Sequence, residues 1–192
     1  MTQESDAQQS AVYSVLTFDI CSSTDILEDL HRTGSTGRWR DLHIKIKEFL
    51  HDKAASFPYR LYNFTGDGWI LLFSQKVGGQ KLMAFLEELC KTYASLYATK
   101  IRPVLETHPE VLGMTFGMDR GQLIKIHMNG RDEFVGRPIN VACRLQSANC
   151  HLQHVVEIGR DGLLDALFAL ATYSRKKMAQ QERSIHDHRN RL

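Results

Sequence analysis

Cysteine is scarce, and its spacing suits no metal or redox chemistry. The 192 residues hold four, Cys21, Cys90, Cys143 and Cys150. No Cys-x-x-Cys pattern joins any two, so neither a zinc site nor a disulfide framework is expected, and a reducing cytoplasm is the natural compartment. Charge of one sign is lacking too. A formal net charge of only +2 excludes the broad basic footprint of a nucleic-acid binder. Long apolar runs are absent: the most apolar late stretch, Leu163 to Leu170, is too short to cross a bilayer and is broken by Asp165, so no membrane association is expected. Residues 1–10 lack the basic start and apolar stretch of a secretory signal and read as a flexible tail. No Pro-, Gly- or Ser-rich linker interrupts the chain, and 43% hydrophobic content over this length suffices for one core, placed at residues 11–173. Residues 174–192 are locally basic, with Arg175, Lys176, Lys177, Arg183, Arg189 and Arg191 facing only Glu182 and Asp187. A solvated end accounts for this, with phosphate steering or a partner contact as the alternative. His186-Asp187-His188 in the same stretch reads as ordinary surface histidine.

What the chain does contain is two aspartates placed where hydrophobic strands run out. Val12 to Ile20 is rich in β-branched and aromatic residues and carries Asp19 near its end, and the following Cys21-Ser22-Ser23-Thr24 offers hydroxyls to cap a helix. Tyr59 to Phe64, the turn Thr65-Gly66-Asp67-Gly68 and Trp69 to Phe73 form a hairpin signal with Asp67 at its tip. Taken singly, Asp19 reads equally well as a helix cap and Asp67 as a turn residue. Taken together, they are a donor set for Mg²⁺ or Mn²⁺, hard cations that prefer oxygen and complete their shells with water and substrate phosphate. Further on, Gly113 to Gly121 and Gln122 to Met128 read as another strand pair, and Asn129-Gly130 as a turn. A helix follows in which Asn140 and Arg144, spaced i, i+4, share one face and can address one ligand. Trp39, Leu42, Ile46, Phe49 and Leu50 recur at helical spacing, as do Leu82, Phe85, Leu86, Leu89, Tyr93 and Leu96. Both stripes predict helices covering a sheet. The element order, ending in one more strand and helix, suits an α+β sandwich with a largely antiparallel sheet.

Three ordered fragments carry a resemblance. Phe18-Asp19-Ile20 with Ser23-Thr24, then Phe64-Thr65-Gly66-Asp67-Gly68, then Gly117 and Gly121 ahead of Gly136-Arg-Pro-Ile-Asn140-Val-Ala-Cys-Arg144-Leu145, span most of residues 11–150. In that order they resemble the catalytic domain of the class III nucleotidyl cyclases. The resemblance implies a ferredoxin-like core and two divalent metal ions, Mn²⁺ or Mg²⁺, held by Asp19, Asp67 and the backbone carbonyl of Ile20. It implies that Asn140 orients the ribose and that Arg144 stabilises charge on the α-phosphate. It also implies a head-to-tail homodimer in which Asp19 and Asp67 of one chain face Asn63, Glu133, Asn140 and Arg144 of the other.

The departures from that family concern the base. Adenylate cyclases usually carry lysine and aspartate at the two base-reading positions, and guanylate cyclases glutamate and cysteine; here they hold Asn63 and Glu133. An amide that both donates and accepts, beside an acidic acceptor, matches a pyrimidine edge. The bulky neighbours Tyr62, Phe64 and Phe134 narrow the pocket or provide a stacking face. The chain thus resembles most the pyrimidine cyclases of the bacterial Pycsar antiphage systems. That likeness implies cyclic UMP, or alternatively cyclic CMP, made from the nucleoside triphosphate as an alarm signal for a cyclic-nucleotide-sensing effector. The competing readings are a conventional adenylate or guanylate cyclase and a non-catalytic nucleotide-binding module. The lysine that binds the terminal phosphates in many relatives has no clear counterpart; Lys176 or Lys177 is the nearest substitute.

Overall fold

A computed structural model describes residues 10–74 and 78–150. The basic C-terminal stretch, the apolar run at 163–170 and the last expected strand and helix lie outside the described residues. Strand β1 (Ser10–Ile20) leads into helices α1 (Ser23–Arg32) and α2 (Thr36–Ala54). The hairpin β2 (Tyr59–Phe64) and β3 (Gly68–Ser74) follows, then α3 (Gly79–Leu96), β4 (Met114–Met128), β5 (Arg131–Val135) and α4 (Arg137–Cys150). The sheet order is β2-β3-β1-β4-β5, and every neighbouring pair is antiparallel. Helical connections after β1 and β3 make the first four strands the ferredoxin-like βαββαβ arrangement. No helix among the described residues is long and apolar enough to cross a membrane.

Strand alternation sorts β1 between two layers. Leu16, Phe18 and Ile20 face α1 to α3, where the Phe85 ring of α3 meets Phe73 edge-on and Tyr59 at a tilt, with ring centroids 5.7 and 5.5 Å away. The helical stripes expected from sequence supply that layer: Trp39, Leu42, Ile46 and Leu50 are buried on α2, and Leu82, Phe85, Leu86, Leu89 and Tyr93 on α3. On the opposite face, Val15, Ile70, Leu72, Leu123, Phe134 and Ala142 form a second cluster under α4. Burying a side chain of this size contributes about 1.5–3 kcal/mol, so each layer is a substantial part of the core.

Residues 113–128 correct one expectation. Met114–Met128 form a single 15-residue strand rather than a strand pair, paired without interruption to β1 from Ile20↔Met114 to Ser10↔Ile124. Gly121, where the expected pair was divided, and Gly117 both lie inside this strand. A Cβ at Gly117 would lie 1.9 Å from the Ala142 carbonyl oxygen, and one at Gly121 would lie 2.9 Å from Pro138 Cγ. They are flat places where the α4 backbone rests on the sheet. The expected turn is present: Asn129 and Gly130 have φ of 52° and 75°, the left-handed pair that a two-residue hairpin requires.

A surface loop is fastened by Asp29. Its buried carboxylate accepts the backbone N–H groups of Glu106 and Thr107 at 2.8 and 3.1 Å and pairs with Arg32. The adjoining cleft of about 570 Å³ is thus a by-product of a satisfied structural contact.

Candidate functional site

Asp19 sits one residue from the end of β1, with Gly68 opposite it on β3 and Thr115 opposite on β4. The glycine is forced by crowding. A Cβ at position 68 would lie 1.8 Å from the Phe18 carbonyl oxygen and 2.9 Å from Asp19 Oδ1, so only glycine lets β3 close on β1 and leaves the carboxylate room. The hairpin tip is sealed by Thr65 N–H donating to the Gly68 carbonyl at 3.0 Å, with Gly66 at φ 110°. Asp67 is thereby delivered beside Asp19.

The two carboxyl groups are close enough to influence each other. Burial, then the hydrogen bond and charge of Asp67, push the Asp19 carboxyl up to about 7, against a backbone hydrogen bond from Ile20. Like charges crowded in a half-buried place disfavour double ionisation. Asp19 Oδ1 is buried without a hydrogen-bond partner. A crowded carboxylate pair with one orphaned oxygen suits a hard divalent cation, which would reverse both costs at once. Among the described residues no group of three or more His, Cys, Asp or Glu gathers around a common point. A cation here would complete its shell with backbone, water and substrate oxygens.

The hydroxyls after β1 do not cap α1, contrary to expectation. Ser22, the N-cap residue, adopts a left-handed conformation (φ 53°) with no capping hydrogen bond. Its Oγ donates instead to the Val111 carbonyl at 3.0 Å, and Ser23 Oγ donates to Asp67 Oδ2. The Ser23 hydroxyl therefore fixes the orientation of Asp67, a role its position in the sequence does not reveal. His43 of α2 was also missed. Its ring packs against Trp39, Phe64 and Trp69 at 4.7, 5.5 and 5.4 Å, and burial holds it below the ordinary histidine range against the pull of the Asp67 charge. The i, i+4 spacing of Trp39 and His43 on the apolar stripe was the available signal. Beside Asp67 and Ser23 opens a cleft of about 650 Å³, whose far wall includes Leu27 and Trp39.

Asn140 and Arg144 do share one face of α4, as their spacing predicted, and that face is exposed while Pro138, Ala142 and Gln146 are buried against the sheet. Gln146 Nε2 donates to Thr115 Oγ1 at 2.8 Å, locking the helix in this rotation. Among the described residues neither the Asn140 nor the Arg144 side chain has a hydrogen-bond or ion-pair partner. Asn63 is exposed on β2, and Glu133 is half-buried on β5. The Glu133 carboxylate accepts from the Tyr62 hydroxyl at 2.9 Å and from Arg131 Nε at 2.5 Å. Phe134 does not offer a stacking face: it is 6% exposed, wedged edge-on between Tyr13 and Tyr62.

No protein-family model matches this sequence, and no curated protein does. Solved structures do match. The guanylyl cyclase Cya2 aligns with a TM-score of 0.56 at 19% identity, over 72% of this chain and 71% of that one. The adenylyl cyclase CyaB from P. aeruginosa aligns with a TM-score of 0.54 at 20% identity, over 72% and 74%. A bacterial light-regulated adenylyl cyclase aligns with a TM-score of 0.56 at 16% identity, over 73% of this chain but only 40% of that longer protein. The fold is that of the class III nucleotidyl cyclase catalytic domain: an antiparallel five-stranded sheet with four helices.

Proposed function

We propose that this chain is a metal-dependent nucleotidyl cyclase that converts a pyrimidine nucleoside triphosphate, UTP ahead of CTP, into its 3′,5′-cyclic monophosphate and pyrophosphate. The observation that carries the reading is the meeting of the Asp19 and Asp67 carboxyls at the strand ends, on the fold of a cyclase. Asp19, Asp67 and the Ile20 carbonyl would hold two divalent ions, Mn²⁺ or Mg²⁺, which lower the cost of deprotonating the ribose 3′-hydroxyl and neutralise the triphosphate. The 3′-hydroxyl gives its proton to water, its oxygen bonds to the α-phosphorus, and the bond from that phosphorus to pyrophosphate breaks. Asn140 holds the ribose in line, and Arg144 meets the negative charge that grows on the α-phosphate oxygens. Ser23 keeps the Asp67 carboxylate aimed at the site.

The exposed Asn140 and Arg144 side chains support a site completed by a second copy. In a head-to-tail homodimer, each aspartate pair receives Asn63, Glu133, Asn140 and Arg144 from the other subunit. Asn63 and Glu133 select the base, since a polar pocket matched to one edge leaves unpaired groups when another base enters. The cyclic product then serves as an alarm signal in bacterial antiphage defence of the Pycsar type, read by a downstream cyclic-nucleotide-sensing effector.

A purine cyclase is the second reading, favoured by the adenylyl and guanylyl cyclases among the structural matches. Incubating the protein with Mn²⁺ and each of the four nucleoside triphosphates separates the two by the cyclic product that forms. Cyclic UMP or cyclic CMP supports the proposal, and cyclic AMP or cyclic GMP alone overturns the pyrimidine assignment. Formation of no cyclic product, with no pyrophosphate released, overturns catalysis altogether. For the defence role, an Asp67→Ala strain that still protects against phage would contradict it.

A further inference from the structure

β2 and β5 are opposite edges of the sheet, yet side chains of β2 join them. The end of β4 runs past β1, with Lys125 to Met128 paired only to β5, and the resulting arm reaches β2 at three consecutive residues. Arg60 lies over the Phe134 ring at 5.1 Å and approaches Asp132 at 3.5 Å. Tyr62 makes the central contact: its hydroxyl proton meets Glu133 Oε2 at 2.9 Å, with the Phe134 carbonyl as a more distant acceptor at 3.2 Å, and its oxygen accepts the Phe134 N–H at 3.1 Å. The register of β2 slips between Leu61 and Asn63, so Tyr62 is the extra residue of a bulge, a device that re-aims side chains. Asn63 follows it directly.

Glu133 is thus held at both oxygens, by a phenol on Oε2 and by the Arg131 guanidinium on Oε1 at 2.5 Å. Each oxygen retains a lone pair, and the carboxylate remains an acceptor only. Burial leads the causes that hold the Tyr62 hydroxyl above its ordinary pKa, so it stays a donor at neutral pH. Left free on an exposed arm, Glu133 would sample several rotamers and lose entropy on meeting a base.

We infer that Tyr62 is a positioning residue for base selection: its hydroxyl fixes Glu133 as a preorganised acceptor beside Asn63, aimed at the N–H edge of a nucleobase. The inference rests on the assignment of Asn63 and Glu133 as base readers. Tyr62 itself need not touch the nucleotide. It acts through Glu133, and Tyr62→Phe removes the donor while keeping the ring against Phe134.

The test uses 3′-deoxynucleoside triphosphates of all four bases with Mn²⁺, which bind without cyclising, measured by calorimetry on the full-length protein. Tyr62→Phe should melt within a few degrees of wild type. It should lose affinity for the preferred base by roughly 10- to 100-fold, as expected for a hydrogen bond to a charged group, with a much smaller loss for the poorest base. Glu133→Gln should compress the preference similarly, and the double variant should lose nothing further, because both changes break one unit. Tyr62→His, which restores a donor, should recover part of the preference; it also serves as the reference should the Phe variant fail to fold. An unchanged base preference in Tyr62→Phe while Glu133→Gln alters it, or losses that multiply in the double variant, would overturn the role of Tyr62 alone. If wild type binds all four bases equally, or none, the assignment of Asn63 and Glu133 falls and this inference with it.

Discussion

The carboxyl groups of Asp19 and Asp67, one near the end of a central strand and one from a hairpin tip, are close enough that Asp67 helps hold the Asp19 proton on. Three local features impose this closeness: Gly68, which cannot carry a side chain; the sealed turn at Thr65; and the Ser23 hydroxyl on Asp67. Crowding two carboxyl groups in a half-buried place disfavours their joint ionisation, a cost that a bound divalent cation would offset.

That cost has a sign that stability measurements can read. Asp19, raised from 3.8 to about 7, binds its proton more tightly folded than unfolded. Its contribution to stability is complete below pH 3.8 and is lost as the pH rises through about 7. In chelator, the melting temperature should therefore carry a falling component between about pH 4 and pH 7, which Asp67→Asn should diminish while leaving the part due to burial. Added Mn²⁺ should raise the melting temperature more at pH 8 than at pH 6, because binding displaces the shared proton.

Arg144→Ala should lower turnover on the order of 10²- to 10³-fold, the usual loss when one transition-state charge donor is removed. Its exposed position predicts a melting temperature unchanged within error. A drop in stability matching the loss of activity would assign Arg144 to the fold instead.

Gly117→Ala should be destabilising by about 1–3 kcal/mol or more, as overpacking requires, because the new methyl would meet the Ala142 carbonyl oxygen at 1.9 Å. Urea titration measures this directly. Gly130→Ala, where φ is 75° but open space surrounds the position, should be milder, since only backbone strain opposes it. Equal losses at the two positions would contradict the close approach of α4 to β4.

Periodic elements were legible in the sequence because one force dominates each. The apolar stripes of α2 and α3, the Asp67 hairpin and the Asn129-Gly130 turn are local consequences of burial spacing and of φ preference. What failed to show was every contact decided by tertiary geometry. Ser22 and Ser23 carry the chemistry of helix caps, but the loop at Val111 and the turn at Asp67, brought nearby by the sheet, compete for the same hydroxyls and win. The division expected after Gly121 does not exist, because a glycine that admits a helix cannot be told, locally, from one that turns the chain. Tyr62 and Glu133 lie on opposite edges of the sheet, and only the bulge in β2 and the overhang of β4 bring them together. For the site, Asp19, Asp67 and the shared face of Asn140 and Arg144 followed from spacing, whereas Ser23 and His43 required the fold.

The most direct measurement of the shared-site account mixes two inactive chains. Asp67→Ala and Arg144→Ala proteins, each inert or nearly so alone, are combined and exchanged, and cyclic nucleotide formation is followed with Mn²⁺. Random pairing in a two-fold dimer places one intact site in each heterodimer, so recovery to about a quarter of wild-type activity is expected. Heterodimers demonstrated in solution that form no cyclic nucleotide would contradict a centre in which the Asp19–Asp67 pair of one subunit works with Asn140 and Arg144 of the other.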